Sequence, residues 1–169
     1  MKAPPRAPGG SQVRAAALTH YLDVAASLGL DVAPLLRQAG IARSWLATPD
    51  HQIPSESVVH LLEASARASG CEAFGLLMAE SRQLSNFGAI SLLIAHQRTL
   101  RDVLQTIIDY RHALNEALAL YVEPAGRVTV VREEVVSRAL QPARQGIELA
   151  VAVLHNMCRS LSGAEWRAQ

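Results

Sequence analysis

A net charge of only +1 leaves this chain of 169 residues without the basic footprint that nucleic acids or an anionic membrane surface require. Lysine is nearly missing as well: arginine outnumbers it fifteen to one, a compositional bias rather than a phosphate-binding signature. The two cysteines, Cys71 and Cys158, stand at no short spacing, which excludes a disulfide framework and suits small core residues in a reducing compartment. No apolar run approaches the ~20 residues of a membrane span. Met1 to Gly10, rich in Pro and Gly, lacks the apolar stretch of a signal peptide. The expected location is the cytoplasm. The motifs of nucleophilic and nucleotide chemistry are absent too, with no G-x-S-x-G elbow, no P-loop and no G-x-G-x-x-G. Among six histidines no two stand three or four apart and none pairs with a cysteine at zinc spacing, so no metal is expected. Carboxylates such as Glu56, Glu63, Glu80 and Asp102 fall on polar helix faces or caps. Neither an enzyme nor a cofactor is indicated.

What is present is a core. Half of the residues are hydrophobic and 18% are charged, and a chain of this length buries about 70% of its unfolded surface in one domain. Residues 1–10 read as a flexible lead and residues 11–169 as the domain. Ser11 is placed to cap a helix whose inner face is Val13, Ala17, Tyr21, Ala25 and Leu28, stopped by Gly29. Asp31 caps a second helix with Pro34 in its first turn, and Gly40 ends it. A longer helix from Ser55 buries Val58, Val59, Leu62 and Ala66 before Ser69-Gly70, and a short one carries Phe74, Leu77 and Met78. Residues 87–97 read as a helix apolar on nearly every side and therefore buried. Thr99 and Asp102 then give a start signal for a helix over residues 100–113.

After Asn115 the hydrophobic period drops from about 3.6 to 2. Leu118, Leu120 and Val122 alternate, Pro124-Ala125-Gly126 turns the chain, and Val128, Val130 and Val131 return as a second strand. From about Pro142 a last helix aligns Ile147, Val151, Leu154, Cys158 and Leu161. The expected class is α+β, mainly helical, with about six to seven helices and one antiparallel β-hairpin of an incomplete sheet. Two strands alone are marginal in water, so something must cover or extend that hairpin. With no closing element after Trp166, the natural product is expected to be longer, or another chain to complete the sheet.

The sharpest local chemistry lies at the end of the 100–113 helix. Tyr110 falls seven residues after Val103 and Arg111 seven after Leu104, so both continue its inner face. A guanidinium in an apolar interior requires an anionic or multi-acceptor partner, from a ligand carboxylate or from the protein. The alternatives are an arginine that reaches past the edge to water or pairs with an internal Asp or Glu. With Phe87 at the start of the preceding helix and His112 beside Arg111, these residues outline a small-ligand pocket: Phe87, Tyr110, Arg111 and His112. A haem needs only one axial histidine, His96 or His112, but a histidine on a helix flank is ordinarily a satisfied surface or core residue. Residues 35–45 imitate a helix-turn-helix around Gly40, yet the second helix has about six residues before Pro49 and buries Trp45, too short to read a major groove.

The order of these pieces resembles the N-terminal regulatory, arabinose-binding-like domain of AraC-type transcription regulators over roughly residues 13–166. It is carried by Gly29-Leu30-Asp31 through Leu35-Leu36-Arg37-Gln38-Ala39-Gly40-Ile41, by Gln52-Ile53-Pro54, Phe74-Gly75-Leu76 and Asn86-Phe87-Gly88, and by Thr99 to Leu104 leading to Tyr110-Arg111-His112. The resemblance implies a domain that senses a small-molecule effector, associates as a homodimer, and touches DNA only through a C-terminal pair of helix-turn-helix units. Those units are missing here, as are the strands expected after the last helix, so the chain reads as a fragment truncated before them. The sequence also allows two other readings: a helical interaction module that binds no small ligand, and a haem-type sensor.

Overall fold

The computed structural model describes residues 10–135, 143–163 and 165–168. The expected flexible lead over residues 1–10 and the helix start at Pro142 therefore fall almost wholly outside the described residues. Within them the chain is mainly helical, with eight α-helices and two separate two-stranded antiparallel sheets. The sheet nearer the N-terminus was not expected from the sequence.

That sheet replaces the first half of the helix expected from Ser11. Residues Gln12–Arg14 form strand β1, which pairs with β2, Gln52–Pro54, so that Val13 faces Ile53. The next backbone N–H groups, of Ala15 and Ala16, donate to His51 O at 2.7 Å and Pro49 O at 2.9 Å, and a single 3-10 turn, Ala15–Leu18, follows. His20 then takes a left-handed φ of 67°, which ends any continuous helix before α1, Tyr21–Ser27. The apolar spacing still holds for burial: Val13, Tyr21 and Ala25 are all in the core.

Local chemistry places the following helices where the sequence puts them. Asp31 Oδ1 accepts from Ala33 N–H at 3.0 Å to start α2, Val32–Gln38, and Gly40 at φ 68° ends it. The next element is a 3-10 turn, Arg43–Ala47, so no recognition helix follows. Helix α3, Ser55–Ser69, and helix α4, Phe74–Glu80, supply Leu61, Leu62, Phe74 and Met78 to a first core cluster with Tyr21, Leu36 and Ile53. Inside it the Ser65 hydroxyl donates to Leu61 O at 2.8 Å, so the Tyr21 hydroxyl donates to Ser65 Oγ at 3.0 Å. Tyr21→Phe removes that buried bond and is expected to cost about 1 kcal/mol in urea unfolding; an unchanged midpoint would show the bond to contribute nothing.

The helix expected over residues 87–97 is corrected. It consists of a 3-10 turn, Leu84–Phe87, and a short helix α5, Ile90–Ala95, which buries only Ile90 and Ile94. Leu92 is 67% exposed and Leu93 41% exposed. Six residues span under two turns, and only one side of them meets α6. Helix α6, Leu100–Asp109, starts at the expected cap, where Asp102 N–H donates to Thr99 Oγ1 at 3.2 Å. It stops four residues early. Tyr110 leaves helical geometry at φ −102° and ψ 13°, and a separate turn of helix, α7, Arg111–Leu114, follows.

Strands β3, Leu118–Ala125, and β4, Val128–Val135, form the expected hairpin, closed by Gly126-Arg127 with Gly126 at φ 65°. Pro124 lies within β3, opposite Thr129. The cover comes from α6 and from the last helix, α8, Arg144–Ser162, which pack on one face of the hairpin. Leu120, Val122 and Val131 thus join Ile94, Val103, Leu104 and Cys158 in a second core cluster. The stripe expected along α8 is corrected in part: Cys158 is buried and Leu154 packs on the second cluster, but Ile147, Val151 and Leu161 are exposed, and Gln145, Leu149 and Met157 are buried instead. Helix α8 serves two partners, α4 with one side and the second cluster with another, so its inner arc is wider than a single stripe and is rotated away from Ile147 and Val151.

Candidate functional site

Between the two clusters the packing is incomplete. A cavity of about 190 Å³ opens there, walled by Val13, Val58 and Leu149 from the first cluster and by Ile107, Leu120 and Leu154 from the second side. This exceeds the ~150 Å³ in which an engineered apolar cavity holds benzene, and falls short of the roughly 300 Å³ or more of drug-sized sites. The space suits a compact molecule of about eight heavy atoms.

Its polar groups are few and each is held by a specific local device. Arg14, buried at the end of β1, donates from Nε to Asp50 Oδ1 at 2.9 Å and from Nη2 to the same oxygen at 2.6 Å. Its Nη1 reaches Asn86 O at 3.4 Å, which seats the 84–87 turn on the guanidinium. Gly88 is required at that seat, because its φ is 65° and a Cβ would stand 2.5 Å from Arg14 Nη2. Gln83 N–H donates to Asn86 Oδ1 at 2.8 Å, closing the turn that carries Phe87 into the cavity wall.

Arg82 is the second cation of the wall. Its Nη1 donates to Ala16 O at 2.7 Å and its Nη2 to Ala17 O, while Nε is buried with no hydrogen-bond partner. Burial pulls the guanidinium down to about 10, which leaves it charged at neutral pH. Glu133 is the carboxylate of the wall. It pairs in register with Leu120, on the inner face of β4 between Val131 and Val135, and its Oε2 is buried without a partner. Burial pushes its carboxyl up to about 7. The Cys158 thiol is raised in turn, by burial and then by the Glu133 carboxylate.

The four residues singled out from the sequence divide. Phe87 and Arg111 both stand in the cavity wall, Phe87 half-buried and Arg111 exposed at the rim. Tyr110 is 43% exposed and His112 is exposed, and neither lines the cavity. The inward positions expected for Tyr110 and Arg111 assume an unbroken helix to residue 113, whereas α6 ends at Asp109 and α7 starts anew at Arg111, so the spacing from Val103 and Leu104 no longer sets where they stand. His96 is exposed too, its Nδ1–H donating to Leu92 O at 2.7 Å, so neither histidine weighed as a haem ligand faces the cavity. Glu133 and Arg82 were missed. The first carried a signal, since a carboxylate between two valines at period 2 sits on the apolar face. The second carried none: what holds it is a pair of carbonyls more than sixty residues away.

Comparison with known proteins places this geometry. The model of the arabinose-binding domain of AraC transcription regulators, N-terminal, matches residues 29–169. The HTH-type transcriptional regulator VirS of Mycobacterium tuberculosis, in strains CDC 1551 / Oshkosh and ATCC 25618 / H37Rv, is 32% identical over 162 residues, covering 95% of this chain and 48% of that protein. The chain thus spans about half the length of the curated relatives it matches. Among the described residues no helix is long and apolar enough to cross a membrane. With a family match over most of its length and the Asp31, Asn86-Phe87-Gly88 and Thr99 elements in their expected order, the chain belongs to the family of the N-terminal arabinose-binding domain of AraC transcription regulators.

Proposed function

We propose that this chain is the effector-sensing and dimerising domain of a cytoplasmic transcription regulator, and that its effector is a small metabolite bound in the cavity between the two core clusters. The observation that carries the reading is the cavity itself, a mainly apolar space with a few fixed polar groups, inside a domain of a regulator family. DNA contact falls to a helix-turn-helix unit outside this chain, in keeping with the name of its relatives, HTH-type transcriptional regulator. The effector acts by differential affinity: it favours whichever arrangement of the two clusters shapes the cavity to it, and that preference biases the dimer or the attached unit. Phe87 offers a ring to the apolar body of the ligand, and Arg111, which has no ion-pair partner among the described residues, offers a cation at the rim.

Calorimetric titration of the chain with a panel of small hydroxy and amino acids tests the reading. One saturable site per chain is expected. Ala150→Phe, which fills the cavity from α8, abolishes it, and Arg111→Ala weakens the acidic members selectively. Binding that survives Ala150→Phe unchanged places the ligand elsewhere, and equal affinity of acids for the parent and Arg111→Ala removes the role of Arg111. A second reading, an interaction module, draws on the exposed Leu92 and Leu93 of α5. Sedimentation of the parent and Leu92→Glu separates dimerisation through that face from a monomer.

A further inference from the structure

Arg82 and Glu133 are two ionisable side chains in the wall of one cavity, and neither has its charge answered. Arg82 is tied to two backbone carbonyls of the 15–18 turn, which fix the guanidinium without neutralising it, and its Nε–H is left over. Glu133 comes from a different element, β4, with its Oε2 buried and unpartnered, and no ion pair joins the two among the described residues. A buried donor or acceptor without a partner is costly, and a buried charge more so. Groups of this kind are retained where a ligand supplies the missing partner. Between them the wall is apolar: Val58, Leu62, Leu120 and Val153.

We infer that the effector is a compact hydroxy acid with an apolar middle, its carboxylate pairing with the Arg82 guanidinium and its remote hydroxyl donating to the Glu133 carboxyl. The inference rests on the effector reading of the same cavity and narrows it to a ligand class. A hydroxyl suits Glu133 better than an ammonium, because it loses less hydration on entering an apolar space. The carboxylate and the donor belong at different ends of the molecule, since the two side chains come from different elements. That Glu133 titrates near 7 from burial alone, with no cation lowering it, agrees with this separation. The volume limits the carbon chain to about five or six atoms, the carboxyl carbon included.

Three probes of one chain length test this: 2-hexanone, hexanoate and 6-hydroxyhexanoate, titrated calorimetrically into the full chain. Hexanoate is expected to bind about tenfold more tightly than 2-hexanone, which has no donor for Glu133 and brings no charge to Arg82, and 6-hydroxyhexanoate about tenfold more tightly again through its bond to Glu133. Glu133→Leu, an apolar residue between two valines on a face that is otherwise apolar, erases the second step and leaves the first. Arg82→Met erases the first; should loss of the two carbonyl bonds prevent folding, Glu133→Leu alone still decides. Equal affinity of the three probes overturns the inference while the cavity reading stands. A second step that persists in Glu133→Leu overturns the role of Glu133. If no probe binds, the effector reading of this cavity falls, and this inference with it.

Discussion

Gly75→Ala is expected to destabilise the chain by about 3 kcal/mol or more, the largest effect of any single methyl group added here. Gly75 is in the first turn of α4, where it faces the first turn of α8 at backbone contact. A Cβ built on it falls onto the carbonyl oxygen of Gln145, with the Gln145 carbonyl carbon at 3.1 Å and Cα at 3.3 Å. These are main-chain atoms, so no rotamer change relieves the clash and the two helices must part. Parting them strains three hydrogen bonds that dock α8: Gly75 N–H to Gln145 Oε1 at 2.8 Å, Gln145 Nε2 to Glu72 O at 2.9 Å, and Gln145 N–H to Glu63 Oε1 at 2.7 Å. Overpacking costs about 1–3 kcal/mol and each strained buried bond adds about 1 kcal/mol. The gain in helix propensity on replacing glycine, up to about 1 kcal/mol, is outweighed. For a chain of this size the loss lowers Tm by about 6–12 °C. Gly146→Ala is the matched control, because a Cβ there has nothing within 4 Å, and its Tm is expected to hold or rise. Equal effects of the two substitutions would show that helix propensity, not the α4–α8 contact, governs this region.

Glu133→Gln is expected to stabilise the chain above neutral pH and to have no effect in acid. The unfolded chain titrates Glu133 at its ordinary 4.5, whereas burial holds the folded carboxyl up to about 7. Below pH 4.5 the group is protonated in both states and folding is indifferent to it. Between 4.5 and about 7 the folded state keeps a proton that the unfolded state releases, so stability falls as pH rises. Above about 7 the carboxylate is ionised in both states and the full penalty stands, up to about 3 kcal/mol at roughly 1.36 kcal/mol for each pH unit. The Cys158 thiol, itself raised, feels its charge; the arginines Arg14, Arg82 and Arg111 share the cavity wall, but none lowers the Glu133 carboxyl. The amide keeps the shape of the side chain and removes its ionisation. Unfolding followed at about pH 8 should show the variant ahead by about 5–10 °C in Tm, with the two curves converging at about pH 4. A constant difference at both pH values would mean that Glu133 is not titrating between them.

Where the sequence was informative, the cause was local. The Asp31 and Thr99 caps and the stops at Gly29, Gly40 and Gly70 each depend on a few neighbouring atoms, and each stands where its residue type puts it. The hairpin was legible because eight residues per strand are enough to show a period of 2. The pairing of Gln12–Arg14 with Gln52–Pro54 was not, since three residues show no period and the partner lies about forty positions away. A helical spacing that is real for burial, Val13 to Tyr21 to Ala25, concealed a strand, a 3-10 turn and a left-handed His20. Half of the pocket reading rested on extrapolating α6 past Asp109. Phe87 and Arg111 come to the cavity by other routes, the Gly88 seat and the rim of α7, while Tyr110 and His112 turn outward.

Helix α8 is fastened to α4 twice, by the Gln145 bonds at its start and by Asn156 Nδ2 donating to Ala79 O at 3.1 Å near its far end. The hairpin is held differently: at its root Glu116 N–H donates to Gln12 O at 2.9 Å, and beyond that, among the described residues, side-chain packing against α6 and α8 holds it. The two sides of the cavity are therefore fastened unequally, α8 at two points along its length and the hairpin at its root. A guest larger than the resting space displaces the compliant ribbon rather than the rigid helix pair, so accommodation is written into β3 and β4 while α8 acts as the fixed anvil.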